Sequence, residues 1–355
     1  MSHSTLAPQI NAEMAITQTH RAAAQRISAL DFTKGALVLI MVFYHWINYF
    51  IGPQWHYYFY MRFLTPSFIF ITGFMISHVY LSKYDAADGR LPKRLLVRGL
   101  KLMAIFIVLN VARALVLPIL STSSLAKHPL ARENLGAVFV TGNLSATNKL
   151  VSFSILVPIA YLLMLCALLM IPYRSYKYTF HILCAFLLLS ILVLAYMGTQ
   201  SNNLEFVTIG LLGALTGFMP LAAINNLVRH PFVLAFCYLC YLICITVWNV
   251  PFPLLIIGVC LNLMIIYRLG VRKDKPDQVH NMISLLGKYS LFGYISQIGI
   301  LQILDAIFRH VDLRASILVI TFLAAFYLTI LSVQAVDRAR RAAVTVDRLY
   351  KAVFA

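Results

Sequence analysis

The sequence predicts an all-α, polytopic integral membrane protein of about ten transmembrane helices, with both termini cytoplasmic. Three observations carry this reading. The 355 residues are 61% hydrophobic and 12% charged, with a mean hydropathy of +0.82, too little charge to cover a soluble domain of this length. Apolar runs of the ~20 residues needed to span a hydrocarbon core recur along the chain. Lysine and arginine concentrate in alternate connections, the asymmetry that sets orientation in a bilayer.

Apolar run length places helices over 30–51, 62–82, 95–117, 151–171, 178–197, 204–222, 231–248, 251–269, 284–306 and 315–334. Pro118, Pro172, Pro231 and the Pro251/Pro253 pair fall at the proposed ends, where a missing N–H costs least. Arg21 and Arg26 precede the first helix, and Lys83, Arg90, Lys93, Arg94, Arg98 and Lys101 separate the second from the third. Arg268, Arg272, Lys273, Lys275 and Lys288 lie between the eighth and ninth, and Arg338, Arg340 and Arg341 follow the tenth. Ten spans put all of these on one side with both termini. The positive-inside bias makes that side cytoplasmic.

Three parts follow: a cytoplasmic segment over 1–28 without a signal-peptide pattern, a transmembrane domain over 29–335, and a basic cytoplasmic tail over 336–355 suited to an anionic lipid surface. The connection 118–150 is rich in Ser, Thr, Asn and Gly and exceeds the ~12–15 residues beyond which a loop usually has a role. It reads as a cap over an outward cleft or as a plain surface loop. A net charge of +17 would suggest nucleic acid in a soluble protein. Here the basic residues set topology, so the expected partner is the lipid bilayer and not nucleic acid. Cys166, Cys184, Cys237, Cys240, Cys244 and Cys260 all fall in apolar segments and read as buried thiols. No metal is expected, and a homo-oligomer stays open.

Polar residues inside a membrane helix are costly, so their placement carries information. From Asp31, steps of three and four residues pick out Lys34, Val38, Met41, His45 and Asn48. Residues so spaced share one helix face, so a single stripe holds every strongly polar group of the first helix. Lys34 and His45 are roughly 16 Å apart along it at 1.5 Å per residue. Asp31 and Lys34 can pair at i, i+3. His45 suits proton transfer near neutrality, and Asn48 could orient it or a substrate hydroxyl. A lone membrane histidine also serves simply to bond a neighbouring helix. Tyr44 and Trp46 lie off the stripe and read as packing or interfacial residues.

The segment Asp31-Phe32-Thr33-Lys34-Gly35, followed by His45, resembles the first-helix signature of the transmembrane acyltransferase superfamily, which includes acyltransferase type 3 and heparan-α-glucosaminide N-acetyltransferase-like proteins. Lys34 stands where that family usually has Arg. Thr65-Pro66-Ser67 through Thr72-Gly73-Phe74, Arg94 through Lys101, Gly210 through Gly217, and Leu286-Gly287-Lys288-Tyr289-Ser290 are similar to later family motifs. Many members carry a His after the last of these; Gln297 is the nearest polar residue here.

The resemblance implies a membrane acyltransferase that moves an acyl, first of all an acetyl, group from cytoplasmic acyl-CoA to a hydroxyl or amine of a glycan-type acceptor on the outer side. It implies His45, Asp31, Lys34 and Asn48 as catalytic residues, acetyl-CoA as co-substrate and no metal. Arg94, Arg98, Lys101, Lys288 and Ser290 are the donor-binding candidates, although positive-inside charge accounts for most of these cations without a ligand. Arg62, Arg113 and Glu205 are the acceptor-side candidates. Snorkelling explains Arg62 equally well, and a helix-terminal cap explains Glu205. The expected location is a bacterial inner (plasma) membrane. The rival readings are a glycan or lipid transporter or flippase, and a partner or sensor that kept the fold without the chemistry.

Overall fold

Backbone N–H and C=O groups cannot stay unpaired in a bilayer, so an apolar chain must span it as helices or as a closed barrel. The computed structural model describes residues 28–52, 55–81, 89–120, 137–142, 153–248, 250–271, 277–308 and 315–354, with backbone alone at 55–57, 114 and 116–120. No strand occurs among these residues. Helix α1 is Ser28–Trp46 and runs on as a π-helical turn over Ile47–Ile51. Then follow α2 (Trp55–Met61), α3 (Leu64–Met75, with a π-helical continuation Ile76–Leu81), α4 (Arg90–Leu120), α5 (Leu156–Tyr173), α6 (Thr179–Tyr196) and α7 (Asn202–Thr216). The remainder is α8 (Leu221–Leu227), α9 (Pro231–Trp248), α10 (Phe252–Gly270), α11 (Gln278–Lys288), α12 (Ser290–Phe308), α13 (Ala315–Ala342) and α14 (Val344–Phe354).

Among the described residues nine spans are long and apolar enough to cross a membrane, or ten if the pair α7–α8, bent by 107°, counts as one. The all-α, multi-pass architecture is therefore the one the sequence predicts. Two expected helices need correction. The run 204–222 ends at Thr216, and the chain turns sharply through Gly217 and Pro220 into α8. Pro220 takes an extended backbone there, which stops the helix. The run 284–306 is two helices that meet at Tyr289. The first begins earlier than hydropathy suggests, at an Asp277 cap whose carboxylate accepts from the His280 N–H at 2.8 Å.

Boundaries shift elsewhere too. Helix α4 begins at Arg90 and continues past Pro118. Arg62 lies in a turn that precedes α3. Helix α13 runs to Ala342, and its 28 residues make it ~42 Å long. That exceeds the hydrocarbon core, so its basic last turns extend beyond the apolar run. Cys166 and Cys184 are buried as expected, but Cys237 and Cys240 are exposed. They lie on the face of α9 that also shows Phe236, Leu239 and Ile243 outward, a surface that suits lipid. Of the long connection, only the turn at 137–142 is described. Asn203 at the start of α7 holds it by donating to the carbonyls of Val138 (2.7 Å) and Phe139 (3.2 Å).

Two glycine-lined crossings position the core. Where α1 meets α11, a Cβ on Gly35 would overlap the Ile283 carbonyl, and one on Gly287 would overlap the Asp31 carbonyl. Where α3 meets α7, a Cβ on Gly73 would overlap the Gly210 carbonyl, and one on Gly213 the Phe70 carbonyl. Small residues allow backbones this close, and close backbones are how helices gain dispersion energy in lipid.

Gly35→Ala and Gly287→Ala should each lower the thermal midpoint in detergent, with an overpacking cost of ~1–3 kcal/mol or more. Gly299→Ala is the control. Its Cβ meets nothing within 4 Å, so its midpoint should hold or rise slightly through helix propensity.

Candidate functional site

The α1–α11 crossing fixes one end of the polar stripe. Lys34 Nζ lies 2.8 Å from the Asp31 carboxylate, and Asp31 is buried. Gly270 closes the end of α10 onto Ala29 and Phe32, and the His280 ring stacks on Phe32 at 4.8 Å. On the two helices that cross α1 here, the Nε of Arg268 and the Oγ of Ser284 are buried with no hydrogen-bond partner among the described residues. Arg268 is two residues before Gly270, and Ser284 follows the Ile283 that touches Gly35. These two polar groups, not singled out from the sequence as site residues, belong with the Asp31–Lys34 end of the stripe. Only the folded crossing reveals them.

The donor-side candidates separate into two groups. Arg98 donates to the Tyr80 hydroxyl at 2.6 Å and lies within electrostatic reach of Tyr350 in α14. Arg94, one turn earlier, is exposed, and Lys101 is half-buried. Lys288 instead faces α13, where it lies 3.7 Å from Asp337. The same carboxylate accepts from the Tyr289 hydroxyl at 2.7 Å and pairs with Arg341. Ser290 opens α12 next to that cluster. Lys288 thus helps to hold α13 on the α11–α12 junction, and Tyr350, edge-on to Tyr289 at 5.4 Å, lies between that cluster and Arg98.

At the other end of the stripe His45 is half-buried, and no described residue hydrogen-bonds its ring. The Tyr44 ring stands edge-on at 5.2 Å and the Tyr58 ring lies 6.3 Å beyond Tyr44. Helix α1 changes pitch just past His45. In a π-helical turn the ladder runs i→i+5, so the 3.6-residue azimuth no longer applies to Asn48. Its side chain lies within interaction reach of the Tyr44 hydroxyl. Tyr44 packs against the main apolar core, as expected, and its ring also adjoins His45. Trp46 also packs, and its indole donates to Thr321 at 3.1 Å. Tyr49 accepts from Gln302 at 3.3 Å and lies within electrostatic reach of Arg113, Asp305 and Tyr294.

Arg62 donates to the Val250 carbonyl at 3.1 Å and lies within reach of Glu205 and Tyr241. The structure thus brings Arg62 and Glu205 together and places Arg113 with Tyr49 instead. Glu205 also occupies the first turn of α7 behind a Ser201 cap, where its charge is favourable on dipole grounds.

The basic tail forms α14 and docks on protein. The Arg340 guanidinium lies 4.1 Å over the Tyr350 ring and 5.3 Å over the Tyr289 ring. Phe354 meets Phe292 edge-on, and Arg340 also bonds Asp347. Lys351 first, and Arg340 second, hydrogen-bond Asp347 and hold its carboxyl below the usual range.

A family model described as heparan-alpha-glucosaminide N-acetyltransferase, catalytic, matches residues 26–123. That stretch runs from the start of α1 past the end of α4. It contains Asp31, Lys34, His45, Asn48, Arg62, Arg94, Arg98, Lys101 and Arg113. No curated protein and no solved structure gives a significant match. The match supports the transmembrane acyltransferase-like family and an acyltransferase enzyme.

The depressed Asp347 carboxyl contributes stability above the ordinary carboxylate range and loses it as pH falls through its own lower value. Acidification should therefore release α14, and Asp347→Asn should release it already at pH 7. Limited proteolysis of the C-terminal helix checks both outcomes.

Proposed function

We propose that this chain, whose first third carries the acyltransferase-like match, transfers an acyl group, in the first place acetyl, from cytoplasmic acyl-CoA to a hydroxyl or amine of a glycan-type acceptor across a bacterial inner membrane. The observation that carries the proposal is the stripe on α1. A half-buried His45 ring, free of hydrogen bonds from the described residues, shares a helix face with the buried Asp31–Lys34 pair. The family match covers both ends of that stripe. A thioester that enters at Lys34 must reach roughly 16 Å to His45, a distance that suits a long flexible arm.

The cations have a natural place in this reading. Arg98, oriented by Tyr80, is the best-placed donor contact, with Arg94 one turn outward. Arg268 Nε and Ser284 Oγ need partners, and an anionic or carbonyl oxygen supplies one. On the far side Arg62, with Glu205 near it, and Tyr44, within reach of Asn48, offer donors and acceptors to a polyhydroxylated acceptor.

The step balances as follows. His45 takes the proton of the acceptor N–H or O–H as that atom attacks the thioester carbon. The C–S bond breaks, and the released thiolate takes a proton. In a two-stage variant the imidazole itself attacks and carries the acyl group before the acceptor receives it.

His45→Ala in reconstituted membranes should lose ~10²–10⁴-fold of acyl transfer, the worth of a positioned base. Full activity in that variant would sink the assignment. An acylated protein trapped with donor and no acceptor selects the two-stage route. A transporter is the second reading, and the 107° break between α7 and α8 favours it, since broken helices line transport sites. Acceptor movement without acyl-CoA turnover would decide for it.

A further inference from the structure

Gln297 is fully buried at 0% exposure, and neither its Nε2 nor its Oε1 has a hydrogen-bond partner among the described residues. Buried amides are nearly always satisfied, and an unpaired buried donor and acceptor weaken a fold. The hydroxyls of Thr329 and Ser332 in neighbouring α13 donate elsewhere. Ser332 donates within 3.2 Å of Ser296 and to the Thr329 carbonyl, and the Thr329 hydroxyl donates to Ala325. Gln297 is thus a complete amide with no partner among the described residues of a membrane domain, where polar groups mark function by default.

Register locates it. Helix α12 runs alongside α1 in the same direction, since Gly293 meets Val38 and Gln302 bonds Tyr49. Gln297 lies between these contacts, opposite the 41–44 stretch of α1. It is one turn past Gly293 on the same α12 face. Val38, the residue Gly293 meets, belongs to the stripe two turns before His45. Gln297 therefore borders the seam that runs from Lys34 to His45, one to four residues short of His45, or roughly 1.5–6 Å along the axis.

We propose that Gln297 binds the acyl donor, its carboxamide pairing with the secondary amide nearest the thioester of a pantetheine-type arm. This rests on the acyl-thioester reading above. A carboxamide has one acceptor oxygen and two N–H donors, the complement of a secondary amide's N–H and C=O. In a cysteamine thioester the amide nitrogen is three bonds from the sulfur, about 4 Å at ~1.5 Å per bond. That length falls within the axial offset of roughly 1.5–6 Å. A donor with its thioester at His45 thus places its first amide at Gln297. The pairing sets the depth of the arm, and with it the height of the reacting carbon.

The test compares two short acetyl donors on the reconstituted protein: S-acetyl-N-acetylcysteamine, which has the amide, and an S-acetyl alkanethiol of equal length, which lacks it. Wild type should favour the first by roughly tenfold in KM, the weight of one neutral hydrogen bond. Gln297→Met should abolish that preference while turnover of the amide-free donor and the thermal midpoint hold, or the midpoint rises. A retained preference overturns the proposal, and so does a lowered midpoint with the preference intact, which marks a structural role. Should Gln297→Met not fold, Gln297→Asn withdraws the amide by one methylene, and its preference should also be lost. Wild type that turns over neither donor, nor acetyl-CoA, overturns the acyl-transfer reading itself.

Discussion

The backbone contact between Gly35 and Gly287 is the constraint on which the rest of the described site depends. Two helices that touch carbonyl to Cα leave no tolerance for a side chain, so this crossing fixes both the height and the rotation of α1 against α11. The consequences run along both chains. Asp31 is buried by the contact and takes Lys34 as its partner. Beyond Tyr289, α12 continues beside α1, so Val38 meets Gly293 and Tyr49 meets Gln302. One glycine pair thus sets the register of a seam that extends from Lys34 past His45.

The second anchor is electrostatic and lies at the same end. Asp337 gathers Tyr289, Lys288 and Arg341 around one buried carboxylate. A buried carboxylate is tolerable only when charge and hydrogen bonds surround it, and here they come from the adjacent pair Lys288–Tyr289 and from Arg341 one turn on in α13 itself. The cluster explains why α11 and α12 are separate helices. Tyr289 departs from helical geometry, and its hydroxyl reaches α13 from that position. It also explains why α14 turns back, since Arg340 sits between the Tyr289 and Tyr350 rings.

The fold class, the approximate span count and the stripe from Asp31 to His45 were legible in the sequence because each rests on local periodicity. Run length and the three–four spacing are properties of one helix, and α1 obeys them to His45. What could not be read is pairwise. The Gly210–Gly217 motif and the Thr72-Gly73-Phe74 motif look unrelated along the chain, yet they are the two halves of one crossing. Lys288 reads as another cation of the basic side, but its direction is set by Asp337, a residue 49 positions away. Arg268 and Ser284 carry no sequence signal as a pair, because only the folded junction brings the stretches of α10 and α11 that carry them against α1. Helix α11 escaped hydropathy because it is amphipathic, with His280, Leu286 and Gly287 inward and its charged end outward.

The two π-helical turns show the same limit from the backbone side. Each follows an α-helix that obeys the 3.6-residue period, and each ends that obedience where a tyrosine must find a partner. Tyr49, in the turn after α1, meets Gln302, and Tyr80, in the turn after α3, meets Arg98. A wider turn rotates later side chains away from the face their spacing predicts. This is why Asn48 lies within side-chain reach of Tyr44, while the His45 ring has no hydrogen-bond partner among the described residues. An imidazole held by Asn48 would be oriented, but it would also be occupied. The π-helical turn instead leaves the His45 ring beside the aromatic wall of Tyr44 and Tyr58. On the acyl-transfer reading proposed above, the irregular backbone next to His45 is the feature that leaves its imidazole available to take a proton.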